Sequence, residues 1–237
     1  MTESFKKVSI IIFLSILSLS AFLIRLENFK NSPARTIDEI VYYRMGAQIL
    51  DQGLSGYQTI AYGKELAATG RPLPDYFFRP LFQHPPLFTL FVALSMGLFG
   101  KTLLAAGYVS LLLAALMIPL IYLLGTLIAN RTIGLFAAFF LWLDPINIIC
   151  SQKVWMDTTI AFFTLLAVLF FVCALKKERN FYFILSGIAV ACAANTKLTG
   201  ILIAGTMILF VLLYRRDLFR NRTFLLSLLL PFVLLIP

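Results

Sequence analysis

Long apolar runs separated by short charged segments dominate the pattern along the 237 residues of this chain. Most runs are long enough, as helices, to cross a hydrocarbon layer of about 30 Å, and they lack the strict alternation that barrel strands require. The pattern therefore predicts an all-α, polytopic transmembrane helical bundle. The seven predicted spans are 8–26, 103–128, 132–150, 157–175, 181–196, 199–214 and 223–237.

The first apolar run follows a basic N-terminus and could be read as a signal peptide. The triplet Arg25-Leu26-Glu27 at its end offers none of the small residues that a signal peptidase requires. We therefore interpret the run as an uncleaved first helix. The last run ends at Pro237 without a polar segment after it, and we interpret residues 1–237 as one module, truncated at its C-terminus.

The stretch 85–99 is apolar but short for a span, and lysine and arginine positions decide how it is placed. If it does not cross, ten basic residues lie in short inner segments against three outside, as the positive-inside rule requires. If it crosses, the balance reverses. We therefore predict a membrane-embedded helix within a first extracytoplasmic loop at residues 27–102.

Composition supports a membrane protein and excludes several other classes. Apolar residues make up 60% of the chain and the mean hydropathy is +0.91, well above a soluble domain. The net charge is +9, but the charged residues lie at the predicted membrane edges, so no nucleic-acid partner is expected. The chain has one histidine, His84, and three cysteines without metal-ligand spacing, so a histidine-rich zinc site and a Ser-His-Asp triad elsewhere in the chain are excluded.

In this topology the carboxylates collect at the outer face, and Asp38-Glu39 is the most informative pair. Both acids open a predicted amphipathic helix that continues through Tyr42. Carboxylates at a helix start could simply cap it. They could equally act as a general base or hold a divalent cation.

Four further polar residues fall in the predicted outer loops. His84 precedes two prolines and the embedded helix, Lys153 and Asp157 flank the second loop, and Lys197 lies in the third. Each has an ordinary alternative, such as a helix cap for Asp157 or a lysine extending to the headgroups for Lys197. Together with Asp38 and Glu39 they predict a site for an anionic substrate at the outer interface.

The order of these motifs resembles the GT-C-type membrane glycosyltransferases that use polyprenyl-phosphate sugars, including the protein mannosyltransferases and the aminoarabinose transferases. The similarity lies in an Asp-Glu pair followed by tyrosine, in His84-Pro85-Pro86-Leu87 leading to Phe99-Gly100, in Asp157 and in Thr196-Lys197. It covers the chain from the first span to about residue 215. Gln83-His84 and Val41 depart from the aminoarabinose transferases, which carry Glu-Lys and an arginine there, so that substrate is less favoured.

The resemblance implies an inverting transfer of sugar from a polyprenyl-phosphate donor to an acceptor on the extracytoplasmic face. Asp38 and Glu39 would be catalytic, and Asp157, with Asp38, could bind a divalent metal ion, although none is required. His84, Lys197, Tyr42 and Lys153 would bind substrate. The expected location is the plasma membrane, with the active site facing outside.

Two other classes remain open from the residues alone. A transporter predicts inverted repeats and ionisable groups near the membrane midplane, whereas the acids here collect at one interface. A non-catalytic membrane scaffold or assembly partner would not require Asp38, Glu39, Asp157 and Lys197 on one side.

Overall fold

The computed structural model of the protein describes residues 3–32, 35–54 and 85–235, and every regular element in these ranges is helical. This confirms the predicted all-α membrane bundle. The α-helices are α1 Glu3–Asn31, α2 Ile37–Gln52, α3 Leu87–Phe99, α4 Leu103–Ile128, α5 Arg131–Leu143, α6 Pro145–Ser151, α7 Met156–Lys177, α8 Phe181–Thr196, α9 Leu202–Tyr214 and α10 Arg222–Val233, with 3₁₀ turns at Leu198–Ile201 and Arg216–Arg220.

Three of the described helices are long and apolar enough to cross a membrane, namely Ser4–Asn31, Leu103–Ile128 and Met156–Lys177. They coincide with three of the predicted spans. The predicted 85–99 helix and the last three predicted spans correspond to shorter apolar helices, Leu87–Phe99, Phe181–Thr196, Leu198–Tyr214 and Arg222–Val233. At a rise of about 1.5 Å per residue, these four are marginal for a full crossing.

Residues 132–150, predicted as one straight span, form two helices, α5 and α6, that meet at 55°. Pro145 has no backbone N–H to continue the hydrogen-bond ladder of α5. The Asp144 carboxylate instead accepts hydrogen bonds from the backbone N–H groups of Ile146 and Asn147, both at 3.2 Å, and so caps α6. The pair can still form a fourth, broken span.

Helix α1 runs antiparallel to α4, which determines where the first loop begins and ends. Phe29, near the end of α1, packs so closely on Gly107, near the start of α4, that a Cβ there would lie 2.5 Å from the Phe29 ring. Leu14 and Leu17, a few turns earlier, pack with Ile118 in one core cluster. The chain therefore leaves α1 and enters α4 at the same end of the bundle, so α3 makes no net crossing.

Helices α2 and α3, which lie between α1 and α4 in the chain, pack against each other. The Tyr42 and Phe88 rings meet edge to face with centroids 5.1 Å apart, and a Cβ at Gly46 would lie 2.6 Å from Val92 Cγ1. Their contacts join a buried cluster that also includes Phe29 and Val154. This packing holds the start of α2 against the end of the transmembrane bundle.

Helices α7, α8, α9 and α10 form the second half of the bundle around a buried aromatic cluster. Phe183 and Phe224 pack with ring centroids 5.4 Å apart, and Phe171 lies against both. The absence of a side chain at Gly187 lets α8 approach the Ser227 backbone of α10 closely. Small residues at such crossings are typical of helices that pack within a membrane.

Candidate functional site at the start of α2

The first turn of α2 begins with a capping box between Thr36 and Glu39. The Thr36 hydroxyl accepts from the Glu39 N–H at 3.4 Å, and the Glu39 carboxylate accepts from the Thr36 N–H at 2.9 Å. Each side chain thereby satisfies a backbone donor that a helix start leaves unpaired. Of the two predicted acids, Glu39 therefore performs the capping.

Glu39 also joins two parts of the chain that are distant in sequence. Its carboxylate is fully buried and lies 3.2 Å from the Arg35 guanidinium and 3.5 Å from the Lys153 ammonium. The Val154 N–H donates to it at 3.3 Å. Because a buried carboxylate is stable only when paired and hydrogen-bonded, these partners tie the start of α2 to the α6–α7 connection.

Asp38 has a different environment from its neighbour. Its side chain is exposed, and within the described part of the chain it makes no hydrogen bond or ion pair. Successive residues of a helix point about 100° apart, so Asp38 can be exposed although its neighbour Glu39 is buried against the bundle. The carboxylate of Asp38 is thus accessible to a reacting molecule.

The α6–α7 connection lies against the start of α2, and its last residue, Trp155, is extended. The Trp155 indole N–H donates to the Thr36 hydroxyl at 3.0 Å, and the Ser110 hydroxyl of α4 donates to the Trp155 carbonyl at 3.3 Å. These hydrogen bonds bring three helices, α2, α4 and α7, to one point. They also determine the position of Lys153, which is mostly covered, with 17% of its side chain exposed.

Asp157 and Lys197 form an ion pair beside this connection. Asp157 lies in the first turn of α7, Lys197 follows the end of α8, and their charged atoms are 3.7 Å apart. About half of each side chain is exposed, so the pair is open to solvent and to ligands. Since Asp157 comes three residues after Val154, this pair and Glu39 belong to the same end of the bundle.

The other predicted site residues have these positions. Tyr42 is 6% exposed, with its ring packed on Phe88, so its assignment to substrate binding stays a prediction. His84 lies outside the described residues. Among the residues that the structure describes, no group of three or more His, Cys, Asp or Glu side chains could hold a metal ion. Joint metal binding by Asp38 and Asp157 also stays a prediction.

Sequence reasoning did not identify Arg25 as part of this end of the bundle. Its guanidinium is 2% exposed and donates to the Ser151 hydroxyl at 3.0 Å, to the Asn147 side-chain oxygen at 3.1 Å and to the Ala21 carbonyl at 3.3 Å. These contacts fasten α1 to α6, immediately before the connection that carries Lys153. The available signal was an arginine in the last turn of the first predicted span, 8–26, where a buried charge is costly unless it has a role.

Arg35 is a second residue that we did not predict as part of the site. It pairs with Glu39, donates to the Phe29 carbonyl at 2.6 Å, and places its guanidinium 4.0 Å from the centroid of the Phe29 ring. It therefore links the end of α1 to the start of α2. Two cations, Arg35 and Lys153, consequently flank the single buried carboxylate of Glu39.

A bundle of long apolar helices with a polar, partly exposed site at one end defines an integral membrane protein. Residues 83–237, about two thirds of the chain, match the family model described as dolichyl-phosphate-mannose-protein mannosyltransferase. The chain belongs to this family of membrane glycosyltransferases, which confirms the resemblance. Among curated proteins and among solved structures, none matches the chain significantly.

The matched range includes Lys153, Asp157 and Lys197 and starts one residue before His84. Asp38 and Glu39 precede it, so their roles rest on the geometry of the site and on the sequence motif rather than on the family match. The contacts of Glu39 with Lys153 and Val154 connect the unmatched part to the matched part.

Proposed function

We propose that the protein transfers a sugar from a polyprenyl-phosphate donor to an acceptor hydroxyl at the extracytoplasmic face, with inversion at the anomeric carbon. The observation that carries this proposal is the difference between the two adjacent acids. Glu39 is buried and paired with cations, whereas Asp38 beside it is exposed. Membership of a mannosyltransferase family supplies the reaction class.

Asp38 would act as the general base. In a single displacement, its carboxylate takes the proton of the acceptor hydroxyl while the acceptor oxygen attacks the anomeric carbon. The bond from that carbon to the phosphate oxygen breaks, and the polyprenyl phosphate leaves with the electron pair. Attack opposite to the leaving group inverts the anomeric configuration. A base that is exposed and positioned on a rigid helix suits this step.

The cations around Glu39 would stabilise the leaving phosphate. Arg35 and Lys153 together carry two positive charges against the one buried carboxylate that both contact, so Glu39 alone does not neutralise them. Lys197, half-exposed beside Asp157, adds a further cation at the same end. Positive groups that are already positioned where negative charge develops lower the barrier without reorganising during the reaction. A divalent ion could assist but is not needed for this role.

The proposed orientation follows from charge placement. The ends of α7 and α9 and the start of α10 carry many basic residues, which the positive-inside rule assigns to the cytoplasmic side. The start of α2 lies at the opposite end of the bundle and would therefore face outside. We also propose that residues 1–237 form a single transmembrane module in the plasma membrane.

The test is a transfer assay in membranes that contain the protein but no nucleotide sugar. With a polyprenyl-monophosphate-linked mannose as donor, we expect sugar transfer to endogenous acceptors and release of polyprenyl phosphate. Membranes from the same cells without the protein are the control. Transfer that requires a nucleotide sugar, in membranes depleted of lipid-linked sugar, would reject the proposed donor.

A further inference from the structure

The end of the bundle opposite to the site carries two adjacent basic connections, 178–180 between α7 and α8 and 215–221 between α9 and α10. The Asn221 side-chain amide donates to the Asn180 side-chain oxygen at 2.7 Å and so fastens one connection to the other. Helix α7, Met156–Lys177, separates this surface from Asp157 by about 30 Å. The two connections therefore form a surface separate from the proposed active site.

On or next to these connections there are seven basic residues but only two carboxylates. Asp217 is paired with Arg215, whose Nε and Nη2 donate to the two carboxylate oxygens at 3.0 and 2.9 Å. The hydrogen bond from Arg215 holds the pKa of Asp217 below its usual range, so that pair stays ionised. The second carboxylate is Glu178. The basic residues, all exposed, are Lys176, Lys177, Arg179, Arg215, Arg216, Arg220 and Arg222.

A crevice of about 240 Å³ opens between the two connections. Its rim is polar and includes Glu178, Arg215 and Asp217, whereas its inner wall is apolar and includes Phe183 and Leu218. A cavity with a charged mouth and an apolar interior matches the junction of a phospholipid, where a charged headgroup meets its acyl chains.

Two exposed aromatic side chains directly neighbour, in sequence, residues that line this crevice. Phe181, at the start of α8, is 64% exposed, and Tyr214, at the end of α9, is 71% exposed. Aromatic residues in such positions typically mark the boundary between membrane and water. We propose that the two connections and their crevice form a binding site for an anionic phospholipid, with the basic residues contacting the headgroup phosphate.

Native mass spectrometry of the purified protein, titrated with phosphatidylglycerol in neutral detergent, tests this proposal. We expect tighter binding of phosphatidylglycerol than of phosphatidylcholine. Changing Arg220→Gln and Arg222→Gln together should weaken phosphatidylglycerol binding by at least about tenfold, because each basic residue near an anionic headgroup contributes roughly fivefold. Binding of phosphatidylcholine should stay unchanged.

The matched control is Lys6→Gln with Lys7→Gln, which removes the same charge from exposed positions at the start of α1. An equal loss in this control would show that net charge alone attracts the lipid and would overturn the site. Displacement of the bound lipid by excess glycerol 3-phosphate would show that the site recognises only the phosphate group, which would overturn the assignment to a phospholipid.

A second pair of variants keeps the test valid if the arginine pair fails to insert. Lys176→Gln with Arg179→Gln alters the other connection and should weaken phosphatidylglycerol binding in the same direction. Circular dichroism and gel filtration show whether each variant is folded. Folded variants of both connections that retain parental affinity for phosphatidylglycerol would overturn the proposal.

Discussion

The carboxylate of Glu39 lies 3.5 Å from the ammonium of Lys153. The two residues are far apart in sequence, since Glu39 lies in the first turn of α2 and Lys153 lies between α6 and α7. Arg35 approaches the same carboxylate from the preceding turn at 3.2 Å. This relationship makes Glu39 a joint between two segments of the site. Its exposed neighbour Asp38 is the proposed general base.

The first prediction separates Asp38 from a structural role. Asp38→Asn keeps the size of the side chain and does not touch the Thr36–Glu39 capping box, so folding should be nearly unchanged. Loss of a general base should lower the rate of sugar transfer by about 10²–10⁴-fold. Asp51→Asn is the matched control, because Asp51 is an exposed acid at the other end of α2, paired with Lys101. A folded Asp38→Asn protein within about threefold of the parental rate would contradict the proposed base.

The second prediction concerns the buried ion pairs of Glu39. Glu39→Gln leaves Arg35 and Lys153 without their counter-charge and should lower the free energy of unfolding by about 3 kcal/mol. Lys153→Gln alone should cost less, because about a sixth of its side chain is exposed and water can replace its partner.

A double-mutant cycle of Glu39→Gln and Lys153→Gln, followed by denaturant unfolding in detergent, measures their coupling. We expect a coupling free energy of about 1 kcal/mol or more. Strictly additive losses would show that the two side chains stabilise the protein independently.

The third prediction tests Arg25 as a residue that positions the α6–α7 connection. Arg25→Lys preserves the charge but cannot contact Ser151 and Asn147 through one planar group, so it should not restore what Arg25→Gln removes. Both variants should unfold at a lower temperature than the parent and transfer sugar more slowly. Lys30→Gln, exposed on the same helix, should match the parent.

A positioning role for Arg25 also predicts how the kinetic constants of its variants change. If the guanidinium acts by holding Lys153 near the donor phosphate, the variants should raise KM for the lipid donor more than they lower kcat. Variants that are less stable but have parental kinetic constants at low temperature would leave Arg25 a purely structural residue.

The fourth prediction tests orientation in the membrane. Single cysteines at Thr199 and Arg179, in a protein without Cys150, Cys173 and Cys192, occupy exposed positions at opposite ends of α8. A membrane-impermeant thiol reagent applied to intact cells should label the cysteine at 199 and should label the one at 179 only after permeabilisation. The reverse pattern would place the proposed site on the cytoplasmic side.

The pattern of apolar residues alone determined the long helices of this fold. Backbone polar groups within a membrane must be satisfied inside the segment itself, so a long apolar run can only become a helix. The predicted spans 103–128 and 157–175 accordingly agree closely with Leu103–Ile128 and Met156–Lys177. The bend at Asp144-Pro145 was also encoded locally, by a capping acid before a proline, but we predicted an unbroken span there.

Tertiary structure alone decided which polar residues are buried, which are paired and which are exposed. Adjacent positions on a helix face different surroundings, and only the packing of α2 against the bundle made Glu39 the buried partner of Lys153 and left Asp38 exposed. The pairing of Asp157 with Lys197 and the contacts of Arg25 with α6 likewise join residues from different helices. Such contacts depend on which helices meet, and the period of an apolar run carries no information about its neighbours.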